Sequence, residues 1–197
     1  MLRKEKANLT KNKLFETAVE LIKEKGYDDV TISQICEKAG VAKGTFYVHY
    51  KSKEDIVKES YYSDMSHFVL KQYEKLISED KIINIKKKIE KFLEAEFMFV
   101  NHVGHIMTCR AYLTNLSECM SGNSKHFERR DFSNELKKLI SEGANQHIFE
   151  TNQTEAEIFL YLESFVRGLM VSWCFSNAEF DIVKKGKKYI AEILEKL

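Results

Sequence analysis

No proline occurs anywhere in the 197 residues. Proline is the residue that helices tolerate least, because it lacks the backbone donor and clashes with the preceding turn. Its absence fits an all-helical chain. Cysteine is sparse: Cys36, Cys109, Cys119 and Cys174 include no C-x-x-C pair, which fits reduced thiols in a cytoplasmic protein and not a disulfide framework. No uninterrupted apolar run approaches the roughly 18 residues of a membrane span, so none is expected. The first residues, MLRKEKANLTKNK, are basic but lack the apolar stretch of a signal peptide. Also missing are G-x-S-x-G, a Walker loop, H-E-x-x-H and a dinucleotide fingerprint. The chain is therefore expected not to be an enzyme and to need no cofactor.

What is present is ordinary in bulk, with 44% hydrophobic and 31% charged residues, but the charge is unevenly placed. Residues 1–53 hold 11 Lys and Arg against 7 Asp and Glu. With 31 basic and 30 acidic residues in total, the remainder has 20 against 23. The positive surplus lies at the N-terminal end, which points to a polyanionic partner for that part.

That part is organised around Thr31 to Lys53, TISQICEKAGVAKGTFYVHYKSK. Thr31 and Gln34 have the spacing of a capping box that opens a helix. Ile32, Ile35 and Ala39 supply its inward face. Ala39-Gly40-Val41 then makes a tight turn, with Gly40 free to take a positive φ. A second helix runs from Ala42 to about Tyr50, and Ser52 with Asp55 opens a third. Two short helices across such a turn form a helix-turn-helix, whose second helix can enter a DNA major groove. Upstream, Leu2 to Leu9 reads as a charged arm and Thr10 as an N-cap. Leu14, Phe15, Ala18, Leu21 and Ile22 then share one helix face, and Gly26 stops that helix. This gives a three-helix head.

Side-chain chemistry sharpens the reading. Lys43 can reach a phosphate or a guanine edge, Gly44 permits close approach, and Thr45 offers a hydroxyl or a methyl to a base. Tyr47 lies on the same face, while Phe46 and Tyr50 point to the core. Lys53, at the start of the third helix, is placed to meet a phosphate. His49 serves either the DNA or the local turn.

The run EKGYDDVTISQICEKAGVAKGTFYVHYKSKEDI resembles the DNA-binding head of the tetracycline-repressor (TetR) family of transcriptional regulators. The resemblance rests on Gly26-Tyr27, Thr31, Ile35, Ala39-Gly40-Val41, Lys43-Gly44-Thr45, Phe46-Tyr47, His49-Tyr50 and Ser52-Lys53-Glu54. It implies operator contacts from Thr31, Lys43, Gly44, Thr45, Tyr47, His49 and Lys53. The family often has serine where this chain has Ala42, so that hydroxyl contact is missing.

Residues 1–53 are thus expected to be the DNA-binding domain and 54–197 a helical effector-binding and dimerisation domain, about nine helices in all. A long helix runs from Ser52 to Ser78, and Glu79-Asp80 forms a loop. Further helical stripes span Ile85 to Val100, Ile106 to Met120, Phe132 to a stop at Gly143, Thr154 to about Ser176, and Asp181 to Leu197. An interruption is expected at His102 to Gly104 and a turn at Ser121-Gly122-Asn123-Ser124. The last two helices carry surplus apolar residues. Leu162, Phe165, Leu169, Ile182, Tyr189 and Ile193 are candidates for a homodimer interface, as the resemblance also implies. Two heads roughly 34–36 Å apart would read a palindromic operator in double-stranded DNA.

Phe92, Met107, Tyr112, Phe165, Arg167 and Trp173 are candidate effector-lining residues. Each aromatic or methionine also suits plain core packing, and Arg167 suits an i,i+4 pair with Glu163. A small apolar or amphipathic effector is implied by the resemblance. His102, His105 and Cys109 would share a face on an unbroken helix and carry metal-ligand atoms. Gly104 lies inside the run and no fourth ligand is spaced to close it, so no metal site is assigned. The expected function is a dimeric, ligand-responsive repressor. A constitutive DNA-binding protein without an effector pocket is the alternative.

Overall fold

A computed structural model describes residues 3–79, 84–122 and 132–197. Among these residues the chain forms nine helices and no strand: α1 (Arg3–Lys25), α2 (Ile32–Ala39), α3 (Lys43–His49), α4 (Lys53–Ser78), α5 (Ile85–Val103), α6 (His105–Met120), α7 (Phe132–Asn145), α8 (Glu155–Phe175) and α9 (Ile182–Glu195). The all-helical class expected from sequence is the fold. The described residues group into two compact units. The first holds the chain up to Asp64 together with α6. The second holds the rest of α4, most of α5, and α7 to α9. A cut after Lys53 therefore does not follow the compact units, because α6 joins the first from far along the sequence.

In the first unit, α1 buries Leu14, Phe15, Ala18, Leu21 and Ile22. Each large member contributes about 2 kcal/mol by removal from water. Gly26 ends the helix at φ 86°, its N–H donating to the Ile22 carbonyl at 2.9 Å. The beginning of α1 corrects the sequence reading. Residues from Arg3 onward are helical, so the stretch read as an arm belongs to α1 (Leu2 lies outside the described residues). Thr10 is not a cap but an interior residue whose Oγ1 donates to the Lys6 carbonyl at 3.0 Å. Nothing between Arg3 and Lys25 is glycine or proline, so no backbone signal stops the helix growing back toward its N-terminal end.

The capping box at α2 forms as expected. Gln34 N–H donates to Thr31 Oγ1 at 3.3 Å, and Thr31 N–H donates to Gln34 Oε1 at 2.8 Å. At the other end Gly40 takes φ 65°, and the Gly40 and Val41 N–H groups bond the Glu37 and Cys36 carbonyls, both at 3.0 Å. Such a left-handed cap turns the chain sharply without a Cβ penalty. The Ser52 cap differs from the expected reciprocal box. Asp55 N–H donates to Ser52 Oγ at 3.2 Å, but the Asp55 carboxylate accepts from Lys51 N–H at 2.7 Å, one residue outside the cap.

Where α4 passes α1, Asp64 meets Glu16 and Lys11. Burial pushes the Asp64 carboxyl up to about 7; the Glu16 charge adds to the shift, and the Ser63 hydroxyl and Lys11 oppose it. A carboxyl whose folded pKa lies above its unfolded value of about 4 binds more protons in the folded state between those limits. Its contribution therefore falls as pH rises from about 4 to 7 and stays low above that. Asp64→Asn should raise stability at pH 8 by about 1–2 kcal/mol and flatten this slope. Thermal melts of both proteins at pH 5 and pH 8 would check it. Equal shifts at both pH values would reject it.

In the second unit, Phe92 lies between the rings of Tyr73 and Phe132, at centroid distances of 5.5 and 6.2 Å. Gly143 is not a stop: α7 continues to Asn145. A Cβ at Gly143 would stand 2.7 Å from the Phe149 ring and 2.9 Å from Ile85, so the position is small for packing. His147 makes the real end at φ 52°, with the Ile148 N–H reaching the Gly143 carbonyl at 3.1 Å. At α8 the Thr154–Glu157 capping box is present on both sides. Asp181 caps α9 by accepting from Lys184 N–H at 2.9 Å.

By length and composition alone α8 is apolar enough to cross a membrane. Its Ile158, Leu162, Val166, Met170 and Trp173 are nevertheless buried within this chain, and it carries the Glu163–Arg167 ion pair. Two of the dimer candidates are corrected by the same packing. Leu162 and Ile182 are completely buried in their own chain and have no surface to offer a second copy. Phe165 packs edge-on against Tyr189 at 6.3 Å, while Phe165, Leu169, Tyr189 and Ile193 are half-buried.

Candidate nucleic-acid interface

The exposed side of α3 is the candidate interface. Ala42 opens the helix without a side-chain cap. Lys43 and Gly44 are exposed and Thr45 is half-buried. A Cβ built on Gly44 would meet nothing within 4 Å, so its lack of a side chain serves no packing purpose inside this chain. Phe46 and Tyr50 are buried beneath the helix, with ring centroids 5.5 Å apart. They fix its rotation and turn Lys43, Gly44 and Tyr47 outward. Tyr47 is 57% exposed and Val48 is 80% exposed.

Val48 was missed by the sequence reading. A large apolar side chain left in water next to Tyr47 is unfavourable for the isolated chain. Its methyl groups suit contact with a thymine methyl in a major groove. The signal was in the pattern: Val48 falls on the face opposite Phe46 and Tyr50.

The remaining candidates divide. The Thr31 hydroxyl is engaged with Gln34, donating to Oε1 at 3.1 Å, though the residue is exposed. His49 is half-buried with its ring 6.4 Å from that of Tyr50, which keeps the turn-partner reading open beside the DNA reading. Lys53 has a structural occupation that spacing did not reveal. Its ammonium donates to the Tyr27 carbonyl and, at 2.8 Å, to the Val30 carbonyl, and it stands 4.3 Å from the Tyr27 ring centroid. Two of its three N–H donors thus tie the α1–α2 link to the start of α4.

On the other side of this link, the Arg110 guanidinium of α6 stands 4.1 Å from the Tyr27 ring and bonds Asp28 at 3.2 Å. Burial, with the Glu54 charge, pushes the Tyr27 hydroxyl up to about 12. Thr108 and Tyr61 are joined at 3.4 Å, Lys58 and Glu118 at 3.0 Å, and Asn115 donates to Tyr62. So α6 is fastened both to the base of the head and to the first turns of α4.

The effector candidates have different surroundings among the described residues. Phe92 and Met107 are completely buried in packed surroundings. Trp173 is buried and donates from Nε1 to the Phe180 carbonyl at 3.0 Å. Arg167 pairs with the buried Glu163. Phe165 packs on Tyr189, and Tyr112 is half-buried. A groove of about 480 Å³ lies elsewhere, lined by Lys137, Glu155, Ala156 and Phe159. Gly104, at φ 84°, separates α5 from α6, so His102, His105 and Cys109 do not continue along one helix face. Among the described residues no group of three His, Cys, Asp or Glu side chains is arranged to hold a metal ion.

Residues 14–60 match the model of the bacterial regulatory proteins, tetR family. The HTH-type transcriptional regulator AcrR of Shigella flexneri is 21% identical over 98% of this chain and 91% of its own length. The biofilm operon icaADBC negative transcriptional regulator IcaR of Staphylococcus aureus is 26% identical over 86% of this chain and 89% of its own. Among solved structures, the transcriptional regulator FadR from Bacillus subtilis in complex with stearoyl-CoA superposes with a TM-score of 0.63. It is 20% identical and covers 94% of this chain and 98% of its own.

Proposed function

We propose that this chain, whose residues 14–60 match the tetR-family model, is a transcriptional regulator of that kind: a dimeric repressor released from a palindromic operator by a small amphipathic effector. The observation that carries the DNA-binding half is the outward face of α3: Lys43, Gly44, Tyr47 and Val48 are exposed on a helix held rigidly by Phe46 and Tyr50. Such a face is costly in water and complementary to a major groove. Thr45 and Val48 read bases, Lys43 and Tyr47 meet bases or phosphate, and Gly44 lets the helix seat deeply. Repression is favoured by the likeness to IcaR, described as a negative regulator. The setting is the cytoplasm, where the operator is.

Dimerisation is supported by α8. Leu160, Tyr161 and Phe175 are 57%, 47% and 85% exposed on its outer side, around Ser164 and Gly168. Two copies packed through α8 and α9 would cover them, in a four-helix arrangement. An amphipathic acyl effector is supported by the FadR likeness, whose ligand is stearoyl-CoA. The ligand acts only through its unequal affinity for the DNA-competent and DNA-incompetent states. The ties of α6 to Tyr27, Asp28 and α4 make α6 as suitable a transmitter as the long α4.

The test is displacement. A labelled operator duplex bound by the protein is titrated with a long-chain acyl-CoA, with free CoA as control. Release by the acyl compound alone supports the reading. Tight, specific DNA binding indifferent to every acyl compound would leave the constitutive alternative, for which the solid packing around Phe92 and Met107 already speaks.

A further inference from the structure

The inner side of α6 is accounted for. Met107, Thr108 and Ala111 are buried, Asn115 donates to Tyr62, and Glu118 pairs with Lys58 at 3.0 Å. The outer side is apolar as well. Ile106, Cys109, Leu113, Leu116 and Met120 follow one another at steps of three, four, three and four residues. On a helix that spacing keeps all five on one stripe, opposite the buried side. Leu113, Leu116 and Met120 are 61%, 60% and 89% exposed, and Ile106 and Cys109 are half-buried.

Single apolar side chains on a surface are common, but a contiguous row marks a contact site. A mean step of about 3.5 residues is that of a helix whose seam is covered by another helix. The chemistry of the row also selects what covers it. The two side chains of fixed charge on α6 turn away: Arg110 bonds Asp28 at 3.2 Å and Glu118 bonds Lys58. Tyr112, Ser117 and Cys119, which flank the stripe, bring no fixed charge, and α6 has no lysine. Nothing there would select an acidic or basic peptide or meet a lipid headgroup. Two copies of the stripe, in contrast, would meet without like-charge repulsion. Three such side chains offer on the order of 300–400 Å² per copy. Two copies would therefore bury on the order of 600–800 Å², below the about 1,200 Å² at which stable interfaces begin.

We propose that the outer stripe of α6 is a self-association surface that seats on the same stripe of a second copy. Its small area makes the contact weak in free solution. It closes where copies are held close together, as on neighbouring operator sites, because the effective concentration there is high. That use rests on the DNA-binding reading above, whereas the contact itself does not. Under two-fold symmetry the same patch is used on both copies. Leu113, the middle of the stripe, then meets its own counterpart, with Leu116 one step along the seam. The surface lies on a different helix from the exposed side of α8.

The experiment is a charge exchange read by sedimentation of the full chain without DNA, over a rising protein concentration. An acidic variant carries Leu113→Glu with Leu116→Glu, and a basic variant carries Leu113→Lys with Leu116→Lys. Both positions are exposed, and Glu and Lys are helix formers close to Leu, so the melting temperatures should hold. Each variant alone is expected to associate about 100-fold or more weakly than the parent, since apolar contacts are replaced by like charges. An equimolar mixture of the two should recover most of the association, because opposite charges then face each other across the seam. On a duplex carrying two adjacent operators, the parent should fill both sites in concert and the acidic variant should fill them independently. Folded variants that associate as the parent does, or a mixture that associates no better than either variant alone, overturn the proposal. Failure of the parent to bind any duplex overturns the DNA-binding reading and leaves the sedimentation result to decide the contact.

Discussion

Gly44→Leu is expected to fold as the parent does and to lose about 100-fold or more in operator affinity. The two halves of this result have separate causes. A Cβ at Gly44 meets nothing within 4 Å in the chain, and the backbone there is ordinary helix. Replacing glycine by leucine inside a helix gains up to about 1 kcal/mol of propensity. The melting temperature should therefore hold or rise slightly. Against DNA the same side chain would stand where α3 approaches the groove most closely. Holding the helix off by one side chain would break the contacts of Thr45 and Val48 together, and each lost base contact costs about 1–3 kcal/mol. Two such losses are ample for a 100-fold change. Unchanged affinity in the folded variant would mean that α3 does not enter a groove by this face.

The largest effect on stability is expected in the other unit, at Gly186. A Cβ there would lie 2.3 Å from the Phe97 ring, and Phe97 is completely buried. The obstacle is the body of an aromatic ring in a filled core, which cannot swing aside as the end of an exposed lysine can. Gly186→Val should cost about 3 kcal/mol through overpacking, lowering the melting temperature by roughly 6–12 °C for a chain of this length. Gly168→Ala supplies the contrast. It too is a helix-interior glycine, but nothing lies within 4 Å of its Cβ position, so by propensity alone it should be neutral or stabilising in the isolated chain. Thermal melts of the two variants side by side would test whether Gly186 is a packing residue. Equal behaviour would show that the α5–α9 contact yields easily.

Local signals in the sequence were legible. The Thr31–Gln34 and Thr154–Glu157 boxes, the left-handed Gly40, the end of α4 at Ser78 and the break at Gly104 all depend on neighbours within a few residues. The α3 face was legible for the same reason, since Phe46 and Tyr50 set its rotation. What sequence could not give was decided across the fold. Lys53 is bound to carbonyls 26 and 23 residues away. Arg110 reaches Asp28 across 82 residues, which brings α6 to the base of the head. Gly143 and Gly186 look alike as letters with helix-stop or flexible character, yet both are small because a ring stands against them. Leu162 and Ile182 lie on apolar stripes that face the chain's own core, and a stripe alone does not say which neighbour covers it. The start of α1 escaped because no proline or glycine marks it.

The central claim is that the exposed face of α3 reads DNA sequence, and its most direct test is selection of duplexes from a random pool by the purified protein at near-physiological salt. The account predicts an inverted repeat whose half-sites lie roughly one helical turn apart. It also predicts affinity for the selected duplex at least about 10³-fold above that for a scrambled one. No enriched sequence, or equal affinity for selected and scrambled duplexes at the same salt, would contradict it.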